Sequence, residues 1–296
     1  MKILITILCC FYFSPLLAAQ TPPGSDVFLL TFESGSRAVE SVKNISEFPG
    51  YDNQPAFTPD DSAIIWASIR DSIQADVFSF NLNTRKTMQL TQTEESEYSP
   101  TPLQVNPLVF TTVRVEKDGT QRLWQYSEKT KLFNLLLPDI KPVGYHTWVD
   151  SQNLALFVLG EPHALFLVDK KNGKQFKVAG NIGRCLQKIP GQNAISFVQK
   201  SAGSDWHINA VNMHDRVISK VARVLPGRED YVWFDNSSLL MAQGAKIYKM
   251  DLSAEKMWME FLNLQEYGVD SINRMALSKN RKYLAFVAND GDVKKK

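Results

Sequence analysis

Four tyrosines recur along the chain at an interval close to the length of one repeat unit. Tyr51, Tyr98 and Tyr145 lie 47 residues apart, and Tyr231 follows 86 residues after the third. The polar residues beside them, or at the matching place in another repeat, are Asp52, Asn53, Glu97, His146, Arg184 and Asp230. Together these groups suit recognition of a peptide or a sugar, because tyrosine offers a large flat contact at low entropic cost.

Two interpretations of this spacing remain open. The tyrosines line the mouth of a channel and contact a ligand, or they pack between neighbouring repeat units and hydrogen-bond a turn. The charged neighbours favour the first interpretation, since carboxylates are rarely buried without a partner. We therefore predict a ligand-binding mouth in the loops that precede the innermost strands. Its residues are Tyr51, Asp52, Asn53, Glu97, Tyr98, Tyr145, His146, Arg184, Asp230 and Tyr231.

The common catalytic motifs are missing from the chain. There is no Gly-x-Ser-x-Gly nucleophile elbow, no His-Glu-x-x-His pair and no calcium loop of alternating Asp with a closing Glu. His146 is the histidine at the predicted mouth. With Asp52, Glu97 or Asp230 across a channel, it has the chemistry to bind a divalent metal ion or to act as a base. A metal-dependent lyase or hydrolase is therefore the alternative to a non-catalytic binding protein, for which no cofactor is expected.

Composition and charge exclude some classes of partner. The chain has 296 residues with 33 Lys and Arg against 31 Asp and Glu, a net charge of +2. Nucleic-acid binding normally needs a basic stripe that neutralises phosphates, and no such stripe is present. We expect a monomer that does not bind nucleic acid. The terminal run Lys294-Lys295-Lys296 is interpreted as a solvated end.

The first 19 residues have the pattern of a secretory signal peptide. Lys2 precedes an apolar run from Ile3 to Phe13, and Leu17-Ala18-Ala19 forms a small-residue cleavage site. This apolar run is shorter than the roughly 20 residues that span a bilayer, so no stable membrane span is expected. We predict export to the periplasm or outside the cell, with residues 20–296 forming one domain. That domain contains a single cysteine, Cys185, so no intramolecular disulfide is possible.

A repeat of about 45 residues organises the rest of the chain. Six short runs rich in β-branched and aromatic residues have central residues 45, 46, 40, 44 and 45 positions apart. The runs are Ile64–Ser68, Leu108–Val113, Leu154–Leu159, Ala194–Val198, Leu239–Ala242 and Tyr283–Val287. This period fits four short strands with their turns, which is one blade of a β-propeller.

A second set of runs shows the alternation of a half-buried strand. Its members are Asp26–Phe32, Asp76–Asn81, Arg122–Ser127, Ala164–Asp169, His207–Asn212 and Lys246–Asp251. The chain thus begins with a run of the second set and ends with one of the first, so each end supplies half a blade. The sequence predicts an all-β fold, a single six-bladed propeller in which the N-terminal strands complete the last blade and remove the exposed sheet edges.

One blade carries a recognisable motif. The segment Phe57–Ser68, followed by Arg70-Asp71, Asp76-Val77-Phe78 and Gln89-Leu90-Thr91, resembles the blade motif of TolB-type propellers. Glu97-Tyr98-Ser99-Pro100 and Leu277–Phe286 are partial copies, and Asp61 stands where the motif usually has glycine. The resemblance implies a propeller of a kind found in exported proteins, but it does not imply one function.

These observations lead to a functional prediction. We predict an exported, non-catalytic binding propeller that recognises a protein segment or a glycan at one mouth of its channel. The alternative is the channel enzyme based on His146, and a third hypothesis is a structural part of a larger envelope assembly.

Overall fold

The computed structural model is all-β and describes residues 22–34, 38–70, 74–203 and 205–289. The predicted signal peptide and the terminal lysines lie outside these ranges. One short 3-10 turn, Gln265–Tyr267, interrupts the strands. Within the described part of the chain, no helix has the length and apolar character needed to cross a bilayer.

The strands form four four-stranded sheets and one eight-stranded sheet. The large sheet divides into two groups of four strands, which are joined by a single parallel pair between Ser25 and Tyr51. Counted in this way, the described strands make six four-stranded groups, which we call blades 1 to 6 in the order of their innermost strands. Blade 6 takes its two outer strands from the N-terminal part of the chain.

Each blade has an innermost, a second, a third and an outermost strand. In order of blades 1 to 6, the innermost strands are β3 (Tyr51–Phe57), β7 (Ser96–Val105), β11 (Val143–Trp148), β15 (Ile182–Lys188), β19 (Tyr231–Trp233) and β23 (Ile272–Leu277). The second strands are β4 (Ala63–Ile69), β8 (Leu108–Val115), β12 (Asn153–Val158), β16 (Ala194–Gln199), β20 (Ser238–Gln243) and β24 (Tyr283–Asn289).

The third strands are β5 (Asp76–Asn81), β9 (Gln121–Ser127), β13 (Ala164–Asp169), β17 (His207–Asn212), β21 (Lys246–Asp251) and β1 (Ser25–Phe32). The outermost strands are β6 (Thr87–Gln89), β10 (Leu132–Leu135), β14 (Lys174–Gly180), β18 (Ile218–Arg223), β22 (Met259–Asn263) and β2 (Val39–Asn44). The two predicted sets of runs are thus confirmed as the second and third strands of the blades.

The predicted closure by the N-terminal strands is confirmed. Strand β1 pairs antiparallel with β24 in an unbroken register from Ser25 opposite Asn289 to Thr31 opposite Tyr283. The rings of Phe28 and Phe286 stack across this pairing with their centroids 5.3 Å apart. Because the two strands come from opposite ends of the chain, their pairing closes the sheet arrangement into a ring.

The hydrophobic core lies between the blades. Alternation along each strand sends one row of apolar side chains to the preceding blade and the next row to the following blade. Ile65 and Val77 of blade 1, for example, pack with Phe110 and Tyr126 of blade 2. Each blade is therefore packed against its two neighbours. This packing fixes the positions of the innermost strands and of the side chains that face the centre.

A second contact closes the ring beside the channel. The Asp61 carboxylate accepts hydrogen bonds from the backbone N–H groups of Lys279 (2.8 Å) and Asn280 (2.7 Å), in the equivalent hairpin turn of blade 6. Asp61 has a φ of 55°, the left-handed conformation for which glycine is usual. The departure from the glycine of the motif is thus explained, since the carboxylate joins blade 1 to blade 6.

Candidate functional site

A central channel with a volume of about 520 Å³ runs between the innermost strands of all six blades. Its lining extends from Tyr145, Arg184 and Arg274 near the beginnings of these strands to hairpin-turn residues such as Pro190 and Lys279 at their ends. We call these two levels the strand-start end and the hairpin end. Five of the innermost strands are the edges of their sheets, and β3 pairs with β1 only between Tyr51 and Ser25. Backbone polar groups therefore face the channel.

Irregular pairing widens the channel near the strand-start end. In five of the six blades, the register between the innermost and second strands shifts, beginning at Asn53, Tyr98, Val143, Ile182 and Ile272. Gln54 and Ser99 occupy equivalent places in two of these bulges, with φ angles of 62° and 53°. The backbone N–H of Ser99 donates to Oε1 of Gln54 at 2.6 Å, which joins the two bulges.

Three charged residues close the channel at the strand-start end. Arg184 donates to Oδ2 of Asp230 through both Nε (3.2 Å) and Nη2 (2.5 Å). Arg274 approaches the other oxygen of the same carboxylate, with Nε 3.7 Å from Oδ1. These three residues also line a second cavity of about 110 Å³, so they separate it from the channel. We call Arg184, Asp230 and Arg274 the septum.

Glu229 supports the septum from the side of blade 4. Its carboxylate lies 2.8 Å from Nζ of Lys200 and 3.6 Å from Nε of Arg184, and it accepts the backbone N–H of Arg184 at 3.2 Å. Gly183 makes this approach possible, because a Cβ added there would lie 2.7 Å from Oε2 of Glu229. The guanidinium of Arg184 is thus fixed by two carboxylates.

Three of the predicted tyrosines gather at the septum. The rings of Tyr51 and Tyr98 meet edge to face with their centroids 6.3 Å apart, and the guanidinium of Arg274 lies 5.1 Å from the Tyr145 ring centroid. Burial raises the pKa of Tyr51 well above its usual range, although Arg274 opposes this effect. The Tyr51 phenol therefore stays neutral and keeps its hydroxyl proton for hydrogen bonding.

The predicted position of these residues in loops is wrong. Tyr51 begins β3, and Tyr98, Tyr145 and Arg184 are each the third residue of an innermost strand. Asp230 directly precedes its strand and is the one predicted site residue outside a strand. The channel lining lies between the septum and the hairpin turns, so the larger cavity is on the other side of these residues from the loops that precede the strands.

Tyr231 and His146 belong to a different arrangement, which the sequence did not reveal. The Tyr231 hydroxyl and the Trp233 indole N–H both donate to Oγ of Ser196, at 2.8 and 2.9 Å. Exactly 85 residues earlier, Nε2 of His146 lies 2.8 Å from Oγ1 of Thr111, to which the Trp148 indole N–H donates at 2.9 Å. Each trio joins the innermost strand of one blade to the second strand of the preceding blade.

Tyr231 and His146 line the channel, but they are buried and not exposed at a mouth. Tyr231 is 1% exposed and His146 is 7% exposed, because both rings fill space between blades. For the tyrosine, the interpretation of packing between repeat units is the correct one. Burial lowers the pKa of His146 to about 3, so this imidazole is neutral.

The Thr111 hydroxyl has one proton and lies 3.5 Å from the Thr101 carbonyl oxygen and 2.8 Å from Nε2 of His146. In the matching trio, the Ser196 hydroxyl donates to the Gln187 carbonyl at 3.3 Å. One ring nitrogen of the neutral His146 imidazole carries the hydrogen, and the other is an acceptor.

Asp52 and Glu97 are buried between blades and do not belong to an exposed mouth, contrary to the prediction. Both side chains are fully buried. Asp52 accepts from the Trp66 indole N–H at 2.7 Å, and Glu97 accepts from Nε of Arg114 at 3.2 Å. Arg70, 3.9 Å from Asp52, is the counterpart of Arg114, and each guanidinium stacks over an aromatic ring. The two carboxylates are thus paired within the walls of blades 1 and 2.

Asn53 lies at the junction of blades 1 and 6. Its Oδ1 accepts from the backbone N–H of Gln54 at 2.8 Å, and its Nδ2 lies 3.5 Å from Oγ of Ser25. The amide therefore stabilises the bulge in β3. Of the ten predicted site residues, five line the channel, Tyr145, His146, Arg184, Asp230 and Tyr231. Tyr51 and Tyr98 pack against each other, and Asp52, Asn53 and Glu97 lie in the blade walls and junctions.

The buried carboxylate of Glu97 makes stability depend on pH. Burial raises the pKa of Glu97 to about 7, and the charge of Asp76 adds to this, although Thr93, Arg114 and Thr91 oppose it. The folded state thus binds this proton more tightly than the unfolded state, in which the pKa of Glu97 is near 4.5. Protonation of Glu97 therefore contributes fully to the free energy of unfolding below about pH 4.5, and this contribution is lost as the pH rises through 7.

We predict that Glu97→Gln, which imitates the protonated form, reduces the fall in the free energy of unfolding between about pH 4.5 and 7. Urea denaturation across this range measures the effect, with Glu40→Gln at an exposed position as the control. A residual slope is expected, because burial also raises the pKa of Asp52 to about 6. An unchanged slope in Glu97→Gln would contradict the prediction.

The metal-dependent alternative finds no ligand set in the structure. Among the described residues, no group of three or more His, Cys, Asp or Glu side chains is arranged to hold a metal ion. The thiol of Cys185 is buried, and burial raises its pKa to about 12. It lies 3.4 Å from the Tyr231 carbonyl oxygen, so it occupies the place of a small buried side chain.

Sequence reasoning missed Arg274, although a signal was available. Arg274 follows Arg184 by 90 residues, which is two steps of the repeat, and both are the third residue of an innermost strand. Nε of Arg274 is buried and has no hydrogen-bond partner among the described residues. Two further unpaired atoms, Ser99 Oγ and His146 Nδ1, belong to residues that line the same channel.

Comparison with known proteins places the fold. No protein-family model matches the sequence. The structure is similar to a putative TolB from Agrobacterium tumefaciens, with a TM-score of 0.68 and 10% identity over 90% of this chain and 99% of the other. It is also similar to a chain of a nidogen/laminin complex, with a TM-score of 0.60 and 9% identity over 86% of this chain and 98% of the other.

A third similar structure is an enzyme. Oligogalacturonate lyase from Vibrio parahaemolyticus matches with a TM-score of 0.58 and 13% identity, over 86% of this chain and 82% of the other. At such low identities the comparisons describe the fold alone. The chain has the fold of TolB-type β-propellers, as the blade motif of the sequence predicted.

Proposed function

We propose that this chain, a propeller of the TolB type, is an exported binding protein whose channel receives an extended protein segment. The segment enters at the hairpin end and stops at the septum. The channel volume of about 520 Å³ lies within the usual range of roughly 300–1,000 Å³ for ligand sites.

The observation that carries this proposal is the set of unpaired polar atoms in the channel. In the described part of the chain, five buried side-chain atoms have no hydrogen-bond partner, and three of them belong to residues that line the channel. Buried polar groups are nearly always hydrogen-bonded, so three unpaired atoms in the lining residues of one cavity are the groups that a ligand would satisfy. Ser99 Oγ donates or accepts, His146 Nδ1 donates or accepts according to the tautomer, and Arg274 Nε donates.

The backbone of the channel favours a peptide as the ligand. Six innermost strands surround the cavity, and five of them are sheet edges. An extended peptide satisfies both the N–H and the C=O groups of a strand edge. A glycan offers hydroxyl groups but lacks this matching alternation. Similar folds occur in a nidogen/laminin complex and in oligogalacturonate lyase, so the fold itself is compatible with either class of ligand.

Selection of peptides tests the proposal. Random linear peptides, displayed in separate pools with a free amino end or a free carboxyl end, would be selected on the protein without its first 19 residues. The enriched peptides would then be measured against two tryptophan variants. Thr147→Trp fills the channel, whereas Lys220→Trp adds the same bulk to an exposed outer strand of blade 4.

The expected result is that Thr147→Trp weakens peptide binding by at least about tenfold, because an indole in the lining removes space for the ligand. Lys220→Trp should bind as the unaltered protein does. Equal binding to both variants, or no enrichment from either pool, would overturn the proposal.

A further inference from the structure

The septum holds one more positive charge than its surroundings neutralise. Lys200, Arg184 and Arg274 face two carboxylates, Glu229 and Asp230, in the contacts described above. The walls towards the hairpin end add Lys188 and Lys279 against Asp61. Each of these two levels thus carries one excess positive charge, so the channel is positive at both ends.

The two septum arginines differ in how completely they are bonded. Arg184 makes two hydrogen bonds to Oδ2 of Asp230 and lies close to Glu229. Arg274 reaches the other Asp230 oxygen only at 3.7 Å, which is beyond hydrogen-bond distance. Its side chain is 16% exposed, and Nε is unpaired among the described residues. Arg274 thus has one unpaired donor, Nε, while its guanidinium also hydrogen-bonds the Tyr145 side chain.

The surroundings of Arg274 hold its side chain in place. Its guanidinium lies over the Tyr145 ring, 5.1 Å from the centroid. A guanidinium ordered by an aromatic ring binds a carboxylate with two parallel hydrogen bonds at little further entropic loss. A buried charge without a full partner is unfavourable, so an anionic ligand group would relieve it.

We infer that the segment entering the channel carries a carboxylate at its leading end and that Arg274 binds this group against the septum. This inference rests on the proposed function and names its ligand class. The carboxylate has two sources in a protein segment, the free C-terminus or an Asp or Glu side chain near the end. Only the first source requires the chain to end in the channel.

Synthetic forms of one selected peptide test the inference. The peptide would be prepared as the free acid, as the C-terminal amide, and with its acidic side chains changed to amides. On the unaltered protein, loss of the carboxylate that binds Arg274 should weaken binding roughly 10- to 100-fold, the usual effect of removing a charge-assisted hydrogen bond. Which form loses affinity identifies the C-terminus or the side chain as the source.

Substitutions at the septum complete the test. Arg274→Gln should abolish the difference between carboxylate and amide forms, and Arg274→Lys should keep part of it, because a lysine retains the charge but not the fork. The control is Arg223→Gln on the exposed outer strand of blade 4, which should preserve the full difference. Should Arg274→Gln fail to fold, Arg274→Lys and the comparison of carboxylate with amide peptides on the unaltered protein still test whether Arg274 binds the carboxylate.

Each outcome separates the inference from the proposed function. If peptides bind in the channel but every neutralised form binds as tightly as the acid, the carboxylate inference is overturned and the proposed function stands. If no peptide binds, the proposed function fails first. Binding of oligogalacturonate, an anionic sugar, without binding of any peptide would overturn the assignment of a protein segment.

Discussion

Replacing Ser196 by alanine is expected to lower the free energy of unfolding by about 2–5 kcal/mol, since each buried donor left unpaired costs about 1–3 kcal/mol. The change removes one acceptor and leaves two donors without it, the Tyr231 hydroxyl and the Trp233 indole N–H. Ser196 is fully buried, so solvent has little access to the vacated position. Urea denaturation measures the loss.

A double variant distinguishes the cost of unpaired hydrogen-bond donors from the cost of removing the Ser196 oxygen atom itself. Tyr231→Phe in the Ser196→Ala background removes one of the unpaired donors, so the pair should be less destabilising than the sum of the two single changes. Ser219→Ala, on the exposed outer strand of blade 4, is the control and should be nearly neutral. A loss below about 0.5 kcal/mol for Ser196→Ala would contradict the role assigned to this trio.

Phe28→Ala is expected to lower the free energy of unfolding by about 3–5 kcal/mol, the range for removing a buried phenyl ring. Phe28 is 2% exposed and stacks on Phe286 at the junction between the two ends of the chain. Beyond the loss of core packing, the change weakens the pairing of β1 with β24. The ring should therefore open locally at blade 6 before it unfolds.

Hydrogen exchange distinguishes local opening from global loss. Phe28→Ala should accelerate the exchange of backbone amides in β24, whose partner strand is released. Phe197→Ala, at a fully buried position in blade 4, should destabilise the protein by a similar amount without this local effect. Equal exchange of β24 in the two variants would show that β1 does not close the ring.

The blades were predictable because their signal is local and repeated. Strands such as β4 and β5 show the hydrophobic character and the alternation of a propeller blade within a few residues. Closure was predictable from order alone, since the first run was a third strand and the last run a second strand. Neither inference needed any contact between distant residues.

The site was predicted only in part because bulges change which side chains are equivalent. The tyrosine spacing of 47 residues matched Tyr51 with Tyr98, whereas the bulges align Tyr98 with Asn53, 45 residues earlier. A proline lies within each bulge, Pro55 and Pro100, and marked the true register. A shift of one residue moves a side chain to the opposite face of its strand. An error of one or two residues in the aligned register therefore assigns a side chain to the wrong face or position.

Tyr231 shows this effect most plainly. Its true equivalent is His146, as the matching bonds to Ser196 and Thr111 show, and not Tyr145. Asp230 then falls at the place of Tyr145, and both lie at the septum. The septum joins blades 4, 5 and 6, and Arg274 also contacts Tyr145 of blade 3, 129 positions earlier in the chain. Sequence spacing alone does not determine such contacts.

The central claim is that the channel, between the hairpin turns and the septum, is the ligand-binding site. A crystal structure of the protein with the tightest selected peptide tests it most directly. We predict density for an extended peptide among the innermost strands, with a carboxylate beside Arg274 and polar atoms opposite Ser99 and His146. Peptide density on the outer strands, with an empty channel, would contradict the claim.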